Sequence, residues 1–298
     1  MQIEHIRLFH LVASIGSISK AARESHISQP ALSQQIQRLE QELGFQLLTR
    51  NNKGVELTGA GHIVAKYAER FDGLYDNLME DLQDFEHSLV SIRIIASPVV
   101  GIYGLPCTMF QVKSDFPNVA FTLTTRSSRE VEAAILQGEG DVGFIIGRPH
   151  EDELIAKEVY SDKVYLVAAK GSSVPDKVTL DMLQEYPLVV QGQKSSLHNQ
   201  LEEYLLRIGR SFGQYNVLFS LDSAESVKSS VLQNHGLAFL PYLSIKKELY
   251  SKQLRQISLQ GFDMSYEVYI VYKKKTDAAD TVYRIATYFS EIGPETFC

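Results

Sequence analysis

Pro30, Ser33, Gln34, Gln37 and Gln41 lie along one side of the stretch "HISQPALSQQIQRLEQELG", residues 26–44. Such side chains donate and accept hydrogen bonds while bringing almost no charge. That is the chemistry of reading base edges in the DNA major groove, which offer donors and acceptors rather than net charge. No comparable grouping asks for catalysis. The sequence holds no nucleophile elbow, P-loop, GxGxxG or metal-ligand spacing, and its eight histidines do not cluster. We therefore expect no catalytic residue, no metal, no cofactor and no enzyme activity.

Three helices would have to position that face. "IEHIRLFHLVASIG" offers Ile6, Phe9, Leu11 and Val12 as core, and "SISKAARESH" offers Ala21 and Ala22 for close helix approach. A third helix begins near Pro30, with Ser28 as its N-cap and proline in the first turn, where a missing N–H costs nothing. Leu32, Ile36, Leu39 and Leu43 recur at steps of four, three and four, so one stripe is buried and the opposite face is polar. Two short helices joined by a tight turn, the second offering polar side chains near its start, is a helix-turn-helix. "FQLLTR" and "VELT" around the turn "NNKG" then predict a small hairpin, a wing whose Arg50 and Lys53 can reach phosphates or the minor groove.

Residues 58–88 form one long period without proline, with Thr58 as N-cap. Val64, Tyr67, Phe71, Leu74, Leu78, Leu82 and Phe85 make an apolar stripe. A helix roughly 45 Å long that joins two domains cannot bury such a stripe in either, so pairing with a second copy is expected. The alternative is a helix lying on its own C-terminal domain. The acids Glu69, Asp72, Asp76, Glu80, Asp81, Asp84 and Glu86 read as a solvated face.

Beyond residue 89, short β-branched or aromatic runs such as "SIRIIAS", "DVGFIIG", "KVYLVAAK" and "YEVYIVYKK" mostly alternate with helical patterns. That predicts an α/β domain of parallel βαβ units. About eight strands exceed one small sheet, so two lobes are expected, with the last strand and helix returning to the first.

The chain has 298 residues and a formal charge of −7, so no bulk basic surface can drive DNA binding. Within 1–57, Arg7, Lys20, Arg23, Arg38, Arg50 and Lys53 slightly outnumber Glu4, Glu24, Glu40, Glu42 and Glu56. No run is apolar enough for a membrane helix, and the N-terminus lacks a basic signal-peptide region. The two cysteines, Cys107 and Cys298, stand far apart. Cys107 reads as a small buried residue, and the pair suggests a reducing compartment, hence the cytoplasm.

"KAA", "SQPALSQQIQRLEQELG", "LLTR" and "LTGAG" occur together and in order at the N-terminus. This combination resembles the LysR-type transcriptional regulators, and the resemblance extends over essentially the whole chain. It implies a winged helix-turn-helix over 1–57, a linker (dimerisation) helix over 58–88 and a two-lobed α/β effector-binding domain over 89–298. That domain resembles periplasmic solute-binding proteins, with lobe I about 89–162 and 267–298 and lobe II about 163–266. By resemblance the DNA contacts are Gln29, Pro30, Ser33, Gln34 and Arg38, with Arg50 and Lys53 on the wing. The implied partners are a double-stranded dyad operator, a small-molecule effector with an organic acid as one candidate, and further copies of the chain as a dimer and tetramer. Tethered copies would strengthen weak individual contacts.

In α/β domains ligands lie at the carboxyl ends of strands, beside helix N-termini. Four corners qualify: 96–101 (Ser97, Val99, Val100, Gly101), 125–132 (Ser127, Ser128), 191–199 (Gln193, Ser196) and 221–227 (Ser223), and Arg148 could supply a counter-charge. Each serine alone reads as a plain helix cap sooner than as a ligand contact; convergence on one cleft is the functional argument. LysR-type regulators often carry Thr or Ser where this chain has Val99, so an anchoring hydroxyl is missing there. Ser97 is expected to face away on its strand, which leaves Ser128 as the preferred anchor. Solute-binding modules and α/β enzymes are the competing class. A peroxide-sensing branch, which pairs cysteines in the effector domain, does not match the positions of Cys107 and Cys298.

Overall fold

A computed structural model describes residues 3–51, 54–86, 90–274 and 281–297. Lys53 and Cys298 fall outside these, as do the side chains of Arg50 and Phe85. The chain divides into two compact units, residues 1–87 and 88–298.

In the first unit, α1 (Ile3–Ile15), α2 (Ile18–Glu24) and α3 (Gln29–Leu43) pack around Phe9, Val12, Leu32, Ile36 and Leu39. Ser17 and Ser28 cap α2 and α3, accepting from the N–H groups of Lys20 and Ala31, and so satisfy donors that have no partner within the helix. Gly44 closes α3 with a left-handed φ of 74°. The hairpin follows as β1 (Leu48–Asn51) and β2 (Gly54–Leu57). Glu40 fixes its base, one carboxylate oxygen accepting from the N–H groups of Leu47 at 2.7 Å and Leu48 at 3.1 Å.

The long helix α4 spans Gly59–Glu86. Thr58 caps it, its hydroxyl accepting from Gly61 N–H at 3.0 Å and donating to the Gln46 carbonyl at 2.7 Å. Gly61 is held by steric need, since a Cβ there would stand 2.1 Å from the Leu47 carbonyl oxygen. Gly61→Ala should cost the first unit about 1–3 kcal/mol through the backbone shift it forces, measured by chemical denaturation of the full chain. Two expectations for α4 need correction. Val64 packs on the core of the first unit and does not join the exposed stripe. Asp72 and Asp76 are not simply solvated: Asp72 takes the Arg7 guanidinium at 2.5 Å, and Asp76 lies 3.6 Å from it. Arg7 is therefore committed to α4 and leaves the pool of cations available to DNA.

In the second unit, β3 (Val90–Ala96), β4 (Val119–Thr125) and β5 (Val142–Ile146) run parallel, with α5 (Leu105–Asp115) and α6 (Ser128–Gln137) in the connections. Then β6 (Leu154–Ala169) begins well before the expected run at Lys163. It is followed by β7 (Lys177–Thr179), β8 (Leu188–Gln191), α7 (Ser196–Arg207), β9 (Val217–Leu221), α8 (Ala224–Leu232), β10 (Ala238–Pro241), α9 (Tyr242–Tyr250), β11 (Leu254–Gln260), β12 (Met264–Lys273) and α10 (Thr281–Thr296). The main sheet runs β4-β3-β5-β12-β6-β11-β7, with β10 also on β6, while β8 and β9 form a separate parallel pair.

The expected parallel βαβ units are present at β3–β5 and β8–β9, and the main sheet also carries antiparallel pairs. β12 pairs antiparallel with both β5 and β6. The β6–β12 ladder extends from Leu154/Lys273 to Val164/Met264, and beyond it β6 pairs with β10 and β11. The β6–β12 pair therefore joins the parallel strands β3–β5 to β10 and β11. Asp162 is buried on this ladder, accepting from Tyr266 O–H and from Leu243 N–H at the start of α9, each at 2.9 Å. Burial pushes its carboxyl up, while these bonds pull it back down.

Cys107 corrects another expectation. It is exposed rather than buried and takes part in a disulfide, so the spacing argument for unpaired thiols does not hold for it.

Candidate nucleic-acid interface and ligand cleft

On α3 the side opposite Leu32, Ile36 and Leu39 carries Gln29, Pro30, Gln34, Gln37 and Arg38, all exposed, with Ser33 half-buried beside them. The same buried stripe that locks α3 onto α1 and α2 thus turns uncharged hydrogen-bonding groups outward. Lys20 and Arg23 on α2 are exposed as well. Arg50 lies in β1, paired with Val55 across the hairpin. The first turn of α3 contains no acid, so its N–H groups and positive dipole end are unopposed by a local carboxylate.

All four corners read from the sequence meet in the second unit. They line an inner chamber of about 150 Å³, to which Ser97, Val99, Ser127, Gln191, Ser196 and Asp222 contribute. An outer chamber of about 820 Å³ shares Ser127, Glu130, Ile146, Lys194 and Ser196 with it, and adds Ser128, Arg148 and Gln193. Between the chambers the first turns of α6 and α7 touch, with Ser128 N–H donating to the Ser196 hydroxyl at 3.3 Å.

Individual residues depart from expectation. Val100 and Gly101 line neither chamber. They are buried in a π-turn over 100–104, where a Cβ on residue 101 would meet Thr125 at 2.8 Å. Ser223 also stays out, capping α8 by accepting from Ser226 N–H. The Ser128 hydroxyl accepts from Ile146 N–H at 3.0 Å and so secures the end of β5. Ser97 does the opposite of what strand alternation suggested: it lines the inner chamber, is 2 % exposed, and its hydroxyl has no partner. The chain leaves the β alternation at Pro98 and turns into the π-turn, which redirects the corner.

Sequence reasoning missed Arg129, Glu130 and Lys194 as cleft residues. Glu130 accepts from both the N–H and the hydroxyl of Ser127, and these bonds hold its carboxyl below the usual range. Arg148 stands at the rim, where a hydrogen bond to Tyr269 and nearby Glu267 keep its guanidinium charged. Its loop is tied to α6 through buried Glu132, which accepts from His150 N–H at 2.7 Å. Gly147 sits at φ +83°, a conformation that favours glycine, and a Cβ there would meet only the movable amide end of Gln200 on α7, at 2.4 Å. Among the described residues no group of three or more His, Cys, Asp or Glu could hold a metal ion, and no helix is long and apolar enough to cross a membrane.

A winged helix-turn-helix followed by a long helix and a two-lobed α/β unit with an interlobe cleft defines the class of DNA-binding, ligand-responsive regulators. Residues 90–291 match the LysR substrate binding domain, and residues 3–62 match the bacterial regulatory helix-turn-helix protein family of the lysR type. The chain belongs to the LysR family of transcriptional regulators. It is 27% identical over 274 residues to a probable RuBisCO transcriptional regulator of Cyanidioschyzon merolae, covering 90% of each protein. To a protein of the same description from Porphyra purpurea it is 29% identical over 254 residues, covering 83% of this chain and 80% of the relative. In fold it is similar to the crystal structure of CbnR, a LysR family transcriptional regulator, at a TM-score of 0.78 and 18% identity, covering 99% of this chain and 100% of that one. The structure of full-length CbnR complexed with its target DNA matches at 0.75 and 19% identity, covering 98% of each.

Proposed function

We propose that this chain binds a dyad operator through α3 and the wing, as an oligomer joined along α4, and that a small molecule in the interlobe cleft sets its effect on transcription. The observation that carries the reading is the convergence of four strand-end corners on one chamber, in a chain whose N-terminal helix α3 exposes an uncharged hydrogen-bonding face. A ligand touching both lobes binds one lobe arrangement better than another. That differential affinity is what allows it to shift the DNA-bound state. The chain acts by binding rather than by catalysis, and it works where the DNA is, in the cytoplasm.

The DNA half of the reading is tested on α3. Gln29→Ala and Ser33→Ala should each weaken operator binding by about 1–3 kcal/mol, the range for a lost base contact, with little change on unrelated DNA. Arg50→Ala should weaken both, because a phosphate contact serves every sequence. Fluorescence anisotropy on operator and scrambled duplexes decides this. Equal losses on the two duplexes for Gln29→Ala would sink the assignment. The cleft half is tested by Ser97→Ala and Ser196→Ala in a reporter assay. They should blunt the effector response while leaving effector-free operator binding intact.

A further inference from the structure

We propose that the cleft takes its ligand in one orientation, with an anionic group in the outer chamber between Arg129 of one lobe and Lys194 of the other, and an uncharged hydrogen-bonding body in the inner chamber against Ser97. The ligand class is a small hydroxylated or oxo-substituted carboxylate held with its carboxylate outward. This rests on the reading of the cleft as the effector site and adds a polarity to it.

The inner chamber is unsuited to an anion. Its charged lining groups are Glu130, Asp222 and Lys194, two carboxylates against one ammonium. The corner that could have offered a hydroxyl is apolar Val99. What the chamber lacks is a partner for the Ser97 hydroxyl, which is buried and unbonded. A hydroxyl or carbonyl on the ligand would satisfy it, and buried polar groups are satisfied as a rule.

The outer chamber has the reverse character where it adjoins the inner one. Arg129 lines only the outer chamber and Asp222 only the inner. Arg129 is the second residue of α6, and Lys194 lies just before α7. Neither cation forms an ion pair among the described residues. The N-terminal ends of α6 and α7 meet beside them, which adds two positive dipole ends. Farther out the charges of this chamber offset one another: Glu267 stands beside Arg148, and Glu203 and Arg207 lie farther along α7. Asp263 pairs with Lys163 at 3.0 Å, and Arg148 is bonded to Tyr269. Arg207 closes α7, roughly 16 Å along the helix from Ser196, beyond the reach of a group seated at Lys194.

The test uses three probes of nearly equal size on the full chain at matched ionic strength: lactate, 1,2-propanediol and 1-amino-2-propanol, read by thermal shift. Lactate should raise Tm at about one-tenth the concentration the diol needs, or less, since charge-assisted bonds exceed neutral ones, and the amino alcohol should be no better than the diol. Arg129→Gln and Lys194→Gln, both at exposed positions, should bring lactate back to the level of the diol. Asp222→Asn should leave the preference for lactate in place. A lactate advantage that survives both cation substitutions, or a preference for the amino alcohol, overturns the proposal. The diol matching lactate, with both responses lost in Ser97→Ala, overturns the orientation and keeps the cleft reading. Failure of all three probes to move Tm removes both.

Discussion

Lys228→Met is expected to cost about 3–5 kcal/mol of effector-domain stability, the range for leaving a buried charge without its partner. Lys228 on α8 is 5 % exposed. Its ammonium lies 3.1 Å from a Glu248 oxygen on α9, 2.9 Å from Glu225, and donates to the Ser244 carbonyl at 3.1 Å. The Tyr103 ring lies 5.1 Å away, and its hydroxyl donates to Glu225; burial, the largest cause, and the carboxylate push that phenol up. Glu225 is more than half exposed, so water screens its share and little of the loss comes from it. Glu248 carries the penalty. It is nearly buried, and its other oxygen already lacks a partner. Removing the ammonium strands the whole carboxylate. The double variant Lys228→Met/Glu248→Leu should therefore recover at least half of the loss, because two apolar side chains of similar volume leave no charge behind. Urea unfolding of the full chain, followed in the effector-domain transition, measures both. A loss below about 1 kcal/mol in the single variant, as for an exposed pair, would show that water reaches this network.

The α3 face and the α/β class were legible because both rest on periodicity. Leu32, Ile36 and Leu39 repeat at helical spacing, so the direction of the polar face follows from the buried stripe. The extent of β6 was not legible. Lys157, Glu158 and Ser161 interrupt the apolar pattern over its first half, while Asp162 is buried against Tyr266 and α9, a tertiary arrangement that no local pattern encodes. β11 hid for a related reason: its alternation of Leu254, Ile257 and Leu259 with polar residues is too sparse to stand out. In the cleft, the four corners could be found because strand ends and helix starts are sequence signals. Which way each serine turns could not. The π-turn after Ser97 and the closeness of Ser128 to Ile146 both depend on how β3 and β5 lie together. Arg7 illustrates the same limit among charges. Its commitment to Asp72 links residues 65 positions apart.

Leu78→Asp/Leu82→Asp is expected to separate the proposed α4-joined oligomer. Tyr67, Phe71, Leu74, Leu78 and Leu82 on α4 are all exposed, the last two at 52% each. Their steps of four, three, four and four keep them on one side of the helix, and exposed Ile63 and Met79 widen the stripe. Large apolar side chains left in water along a helix this long imply a partner surface. Seating the stripe on its copy would bury four leucines from these two positions, each worth about 1.5–3 kcal/mol when fully removed from water. The sum is about 6–12 kcal/mol, an upper range because these side chains are only half exposed beforehand. Half of the lower figure still changes the association constant about a hundredfold, before the cost of placing aspartates in an apolar contact is counted. Analytical ultracentrifugation should show a fall in mass, and operator affinity should drop with it, since linked domains bind through effective concentration. Leu78→Met/Leu82→Met, which keeps volume and polarity, should leave both unchanged. A double aspartate variant with wild-type mass and wild-type operator affinity would mean that the stripe packs against something other than a second copy.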